Sequence, residues 1–256
     1  MQRNLRALEL NGIKVFAISF DSQVVLREFA ERFNITYPLL SDEGSRVIQE
    51  FGILNTCIPQ DHVRFGIPYP GTYMVGEDGR VVEKSFFAAH RTRESINDML
   101  QETFRVEDID RGEIQVVTTP DLTARAYFAS PTVRHRQYTV LTVEISLNDR
   151  IHVNGRPLPE GYIPVELTLD GGEDLALDHV EYPEPEEIFL EALDEKLNVY
   201  TGRFQIKGRC LGLSAEQDGE IAISASLHYQ ACDDNECYFP ETLTFPLRLR
   251  YLQHVR

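Results

Sequence analysis

The chain has 256 residues, enough for two modest domains, and its 42% apolar and 26% charged content is that of a folded globular protein rather than a disordered one. Its formal net charge of −16 is unevenly placed: residues 1–110 hold 12 basic and 17 acidic side chains, and the remainder holds 13 and 24. Without a basic stripe, binding to a nucleic-acid backbone or to an anionic membrane surface is excluded as a main function, because both rest on clustered Lys and Arg.

No stretch approaches the ~18 consecutive apolar residues of a membrane span. The opening Met1-Gln2-Arg3-Asn4-Leu5-Arg6 leads into a mixed segment, not an apolar signal core. As written the chain reads as cytoplasmic; a longer N-terminus would allow a periplasmic location.

The first elements alternate between helical and strand patterns. Leu5, Leu8 and Leu10 form a partial helix face that Gly12 ends. Val15–Phe20 is a continuous apolar run, the pattern of a strand buried on both faces. Asp21-Ser22 offers an N-cap for a helix with Val25, Phe29 and Phe33 at i, i+4 and i+8. A third helix is expected from Ser41, with Asp42 and Glu43 in its first turn, ending at Gly52. Thr72–Val75, a Gly76-Glu77-Asp78-Gly79 turn and Val81-Val82 predict a β-hairpin. Thr92 can cap a last helix that turns Ile96, Met99 and Leu100 inward. The order α-β-α-loop-α-β-β-α describes an α/β layered domain.

Near residue 110 the texture changes to strands. Tyr138, Val140 and Thr142 alternate with Thr139, Leu141 and Val143. Ile221, Ile223, Ala225, Leu227 and Tyr229 share one face of another strand, and Leu243, Phe245, Leu247 and Leu249 one face of the last. Short strands separated by Gly, Pro and Asp turns predict a β-sandwich. The acidic piece from Glu184 to Glu195 reads as a solvated, cap-like insertion, with a short helix as the alternative.

Two resemblances follow from particular residues. Ile67-Pro68-Tyr69-Pro70-Gly71-Thr72-Tyr73-Met74-Val75-Gly76-Glu77-Asp78-Gly79-Arg80-Val81, with Val15–Asp21 and Tyr37-Pro38-Leu39-Leu40-Ser41-Asp42, resembles the alkyl hydroperoxide reductase/thiol-specific antioxidant (peroxiredoxin-like) branch of the thioredoxin fold. Pro70 would take the place of that fold's active-site proline, often cis. The family's reactive Cys lies at the start of its first long helix, whereas this chain begins inside that helix. The resemblance therefore implies an incomplete thioredoxin-like α/β domain over 1–108, lacking roughly 60–80 upstream residues and the peroxidase Cys. Cys57 reads as an incidental thiol, with no nearby base or helix N-terminus to lower its pKa.

The second resemblance is carried by Gly161–Leu167, Val180–Pro185, Val199–Phe204 and above all by Leu227-His228-Tyr229-Gln230-Ala231-Cys232-Asp233-Asp234-Asn235-Glu236-Cys237-Tyr238-Phe239-Pro240-Glu241-Thr242. These residues are similar to the N-terminal domain of the DsbD thiol–disulfide interchange protein. It implies an all-β, immunoglobulin-like sandwich over 112–256 with its redox pair at Cys232 and Cys237. Asp194-Glu195 matches an acidic pair in a loop that covers the family's cysteines, but the aromatic cover that follows there is missing.

From the residues alone, the Cys232/Cys237 pair has three readings: an exchangeable disulfide, a structural staple, or a zinc site with Cys210 and His228. A staple would close a very short loop and restrict the unfolded chain little; the zinc reading lacks a tight second ligand pair. Asp233, Asp234 and Glu236 disfavour a thiolate, which suits a disulfide attacked by a partner's thiolate or a dithiol activated on docking. His228 is a candidate for assisting proton transfer. The leading expectation is a thiol–disulfide oxidoreductase acting on Cys232 and Cys237, without organic cofactor or metal, with a thioredoxin-like or DsbD-like redox protein as partner. The alternatives are a peroxiredoxin-type peroxidase whose catalytic Cys is outside this chain, and a non-catalytic module that binds a redox partner.

Overall fold

The computed structural model describes residues 1–86, 93–104, 106, 111–190, 195–213, 218–233 and 235–253. The chain forms two compact units, Met1–Ile96 with Thr103–Val106, and Asn97–Glu102 with Glu107–Arg256.

In the first unit a 3-10 turn (Gln2–Asn4) leads into α1 (Leu5–Leu10). Gly12 has a positive φ, so the Gly12 and Ile13 amides turn back onto the carbonyls of Glu9 and Leu8, a motif that only a residue without Cβ enters cheaply. Leu5 and Leu8 are buried, but Leu10 is exposed. Strand β1 (Ala17–Ser19) is shorter than the apolar run that predicts it. It is also not buried on both faces, since Phe16 is 60% exposed and Ile18 is exposed as well. Helix α2 (Gln23–Phe33) begins as expected, the Ser22 hydroxyl accepting from the Val25 amide, yet none of its residues is buried.

The segment expected as a loop contains β2 (Leu39–Ser41), which pairs in parallel with β1. The third helix starts later than the sequence suggests: α3 is Arg46–Glu50. Asp42 stands before it, and its carboxylate accepts from the Val47 and Ile48 amides, so the acid caps the helix from outside. The end at Gly52 is as expected. The hairpin forms, with β3 (Gly71–Val75) antiparallel to β4 (Val81–Phe86). The Tyr69–Pro70 peptide is trans; among the described residues the cis bond is Arg156–Pro157. Thr92, the expected cap of the last helix, lies outside the described residues. After the short strand β5 (Arg93–Glu94), that helix is α4 (Ile96–Glu102), with Leu100 buried and Ile96 and Met99 half-buried; all of it after Ile96 belongs to the second unit.

The second unit is built from strands. β6 (Gln115–Thr118), β7 (Leu122–Phe128), β9 (Gln137–Leu147), β12 (Leu175–Glu181) and β15 (Arg203–Gly212) form one sheet in the order β12-β15-β9-β7-β6. β8 (Thr132–Arg134), β11 (Glu166–Asp170), β16 (Gly219–Tyr229) and β18 (Glu241–Leu252) form a second, in the order β11-β16-β18-β8. The faces picked out by alternation meet between them: Leu141, Val143 and Ile145 from one sheet pack with Ile223, Ala225, Leu227, Phe245 and Leu247 from the other in one core. Interdigitating apolar faces of this kind supply most of a sandwich's stability.

A third sheet has the order β13-β14-β10-β17, from β10 (His152–Asn154), β13 (Glu186–Leu190), β14 (Glu195–Thr201) and β17 (Ala231–Cys232). Where it is described, the acidic piece is a strand rather than a helix or a loop: β13 pairs antiparallel with β14, Ile188 opposite Leu197 and Glu186 opposite Val199, while Glu184, Glu186, Glu187 and Phe189 stay exposed. Leu197 and Val199 are fully buried, and this is what the acidic flanks concealed.

Candidate functional site

Strands β16 and β18 pair from Gly219↔Tyr251 to Tyr229↔Glu241, so the segment between them leaves the sheet after Tyr229. It does not form a simple loop. Ala231 and Cys232 pair with Val153 and His152 of β10, which carries the chain onto the third sheet. The chain then reverses in a narrow turn. The Tyr238 amide donates to the Ala231 carbonyl at 2.8 Å and the Asp233 amide to the Glu236 carbonyl at 2.9 Å. These bonds bracket Cys232 and Cys237 as a directly opposed pair without hydrogen bonds of its own, the position where antiparallel side chains come closest. Their Cα atoms are 4.0 Å apart and their sulfurs are joined in a disulfide.

The turn is organised by Asp233. Its Oδ1 accepts from the amides of Asn235 (2.7 Å) and Glu236 (2.9 Å), and its Oδ2 accepts from the Tyr238 hydroxyl (2.8 Å). The two backbone donors, then Tyr238, hold this carboxyl below its ordinary value, while the Asp233 carboxylate pushes the Tyr238 hydroxyl up. Gln230 Nε2 adds a bond to the Tyr238 carbonyl at 3.0 Å. Beneath the turn, Tyr229 donates to Glu241 at 2.9 Å; burial, partly offset by the Thr119 hydroxyl, and the Glu241 carboxylate raise its pKa to about 12.

The two sulfurs are not equivalent. Cys232 is 1% exposed, whereas Cys237 is exposed and is followed by Phe239, which is 93% exposed. A reagent from solvent therefore meets Cys237 first, and two residues further along the chain Phe239 stands bare in solvent.

The other expected residues are distributed differently. Asp194 and Asp234 lie outside the described residues, and Glu195 accepts from the Tyr162 hydroxyl at 2.7 Å. His228 is not beside Cys232: it stays on β16, where its Nδ1 lies 3.0 Å from the Thr242 hydroxyl, while Cys232 has moved to another sheet. Cys210, the other thiol of the zinc reading, is buried in the sandwich core, where burial and then the Asp98 charge raise its pKa to about 12. Cys57 is exposed, its sulfur 3.5 Å from the Tyr69 hydroxyl. A residue that sequence reasoning missed is His152, directly opposite Cys232 in the sheet. Nothing in its local sequence signals this, because the pairing spans 80 positions.

The site is thus a β-sandwich carrying, on a tight turn, a disulfide with one cysteine buried and the other exposed. Residues 122–249, half of the chain, match the family model of the thiol:disulfide interchange protein DsbD, N-terminal, and the chain belongs to that family. Residues 1–84 match the AhpC/TSA family. Among curated proteins, a putative peroxiredoxin bcp of Coxiella burnetii is 32% identical over 72 residues, covering 27% of this chain and 44% of that protein. The thiol-disulfide oxidoreductase ResA of Bacillus cereus is 22% identical over 91 residues, covering 35% and 44%. The chain thus spans less than half the length of these relatives. Solved structures similar to it include the N-terminal periplasmic domain of ScsB from Proteus mirabilis, at 12% identity and TM-score 0.39, covering 55% of this chain and 51% of that one. The Neisseria meningitidis DsbD n-terminal domain in the reduced form follows at 16% identity and TM-score 0.31, covering 43% and 80%.

Proposed function

We propose that this chain is a thiol–disulfide exchange protein whose Cys232–Cys237 disulfide trades electrons with a thioredoxin-like or DsbD-like redox protein. The observation that carries the reading is the asymmetry of the pair: exposed Cys237 and buried Cys232 on a turn held by Asp233. A partner's thiolate attacks Cys237 Sγ and forms a mixed disulfide while Cys232 leaves with the electron pair of the broken S–S bond. The partner's second thiolate then attacks its own sulfur in the mixed disulfide and releases Cys237, leaving the partner oxidised and this pair reduced. The same steps run backwards pass electrons the other way.

In this reading, residues 112–256 are the DsbD N-terminal-like, immunoglobulin-like sandwich and residues 1–108 a thioredoxin-like, peroxiredoxin-like domain. Phe239, exposed two residues after Cys237, offers the partner an apolar contact, and the neighbouring acids Asp233, Glu236 and Glu241 favour a partner with a basic rim. The exposed Cys57 has the Tyr69 hydroxyl beside it and, among the described residues, no basic group hydrogen-bonded to it, so no peroxidase role is assigned to it. Among the described residues no helix is long and apolar enough to cross a membrane.

The experiment is mass spectrometry of alkylated protein across a glutathione redox series. The reading expects Cys232 and Cys237 to lose and regain two alkyl groups together as the poise changes. Two thiols that stay alkylatable under oxidising conditions, or a pair that binds zinc stoichiometrically, contradict it.

A further inference from the structure

Strand β10 runs between β14 and β17, and its three residues alternate faces. Val153 joins the sandwich core together with its register partners Tyr200 and Ala231. His152 therefore belongs to the opposite face, aligned with Thr201 on one side and Cys232 on the other. Directly opposed residues in an antiparallel pair have Cβ atoms about 5 Å apart and side chains on the same face. His152 is 7% exposed and Cys232 1%, so imidazole and sulfur share a sheltered place. The positive charge of the ring reaches as far as Asp233, where it helps to hold that carboxyl ionised.

The chemistry of the leaving sulfur calls for such a group. When Cys237 is attacked, the electron pair of the S–S bond stays on Cys232, which becomes a thiolate in a nearly dry site beside Asp233. An uncompensated buried anion is costly, and a neighbouring carboxylate makes it costlier. We propose that His152 carries the proton of Cys232 during exchange, a role that rests on the exchange reading above. As imidazolium it gives its proton to the departing Cys232 thiolate, leaving a neutral thiol and a neutral imidazole. In the reverse direction the imidazole takes the Cys232 proton, and the thiolate attacks Cys237 Sγ in the mixed disulfide and expels the partner's thiolate.

Among the described residues, the charged group that bears on His152 is Asp233 of the cysteine turn, and the other register partner of His152, Thr201, donates through Oγ1 to Glu186 of β13 at 3.2 Å. They are retained in every variant compared, so they shape each profile equally.

The test is the rate of disulfide reduction by dithiothreitol from pH 5 to 9 in the full chain, divided by the dithiothreitol thiolate concentration at each pH. In the parent the normalised rate is expected to be high at low pH and to fall as the imidazolium is lost. In His152→Gln the profile flattens, with a loss of about tenfold or more at pH 6 that closes towards pH 9. A variant profile parallel to the parent at every pH means a structural role and overturns the proposal while leaving exchange intact. A parent disulfide that dithiothreitol does not reduce overturns both readings. NMR titration of the His152 ring in the unaltered protein supplies a second measure, independent of how the variant folds. The proposal expects its midpoint to differ between the oxidised and reduced protein; identical midpoints contradict it.

Discussion

The two units show the same kinds of sequence pattern and opposite outcomes. In the sandwich, the alternating faces of β16 and β18 vanish from solvent, with Phe245 and Leu227 fully buried. In the first unit, the equally regular Val25-Phe29-Phe33 face of α2 buries none of its residues, and Phe16 and Ile18 of the apolar run stay exposed. Periodicity states which face of an element is apolar. Whether that face is covered depends on a second element, and the first unit's described sheets, β1-β2 and β3-β4, are two strands each.

The comparison can be broken by mutation. Phe245→Ala should cost the sandwich about 3–5 kcal/mol, because it opens a cavity in a closed core. Val25→Ala on α2 should change stability by no more than about 0.5 kcal/mol, since the side chain is already exposed. Urea unfolding of the full chain followed by circular dichroism measures both; equal losses would mean that α2 is covered in solution.

A second contrast is between buried and exposed thiols. Burial pushes Cys210 up to about 12 and leaves Cys57 open to solvent. In the folded protein iodoacetamide at pH 8 should label Cys57 at least about a hundredfold faster than Cys210, because the thiolate is the reactive form. The same burial sets a pH limit on stability. The folded-state values of Cys210 and Tyr229 lie above the ordinary 9.0 and 10.0, so the sandwich keeps their contribution below those values and loses it as pH rises towards about 12. Alkaline titration of the unfolding midpoint reads this; a flat midpoint up to pH 11 would contradict the burial.

Smaller effects sharpen the site. Phe239→Ser should slow reduction by a protein dithiol several-fold, as loss of an interface aromatic does, and leave reduction by dithiothreitol unchanged. A change of the same size with both reductants would remove Phe239 from partner recognition. Asp233 has a lowered pKa, so its bonds to the Asn235 and Glu236 amides are still intact at the ordinary carboxyl value of 3.8 and fail only as pH falls through the lower folded value. Exchange of those two amides, corrected for the intrinsic rate, should accelerate only below that ordinary value, and in Asp233→Ala it should be fast at every pH.

Much of the fold was legible where one residue type decides the outcome. Gly12 and Gly52 end their helices because the left-handed turn suits glycine, and Ser22 caps α2 through its own hydroxyl. The strands β16 and β18 were visible because eleven or more residues repeat one period. The cysteine pair was visible from its motif. What escaped depends on distant partners. The pairing of β13 with β14 sets Ile188 against Leu197 within acidic surroundings, and β17 exists because β10 offers it an edge. His152 is the clearest instance: a histidine near a turn acquires its position beside Cys232 from a pairing that no local pattern encodes.

The central claim is that exchange enters through Cys237 and leaves through Cys232. It is tested most directly in a Cys57→Ser background by trapping with a reduced thioredoxin-like protein whose resolving cysteine is replaced, after activating the remaining thiol of each variant pair with a chromogenic disulfide. Cys232→Ser, which keeps exposed Cys237, should form the mixed disulfide at least about tenfold faster than Cys237→Ser, which keeps buried Cys232. Equal trapping by both variants, or faster trapping at Cys232, would contradict the account.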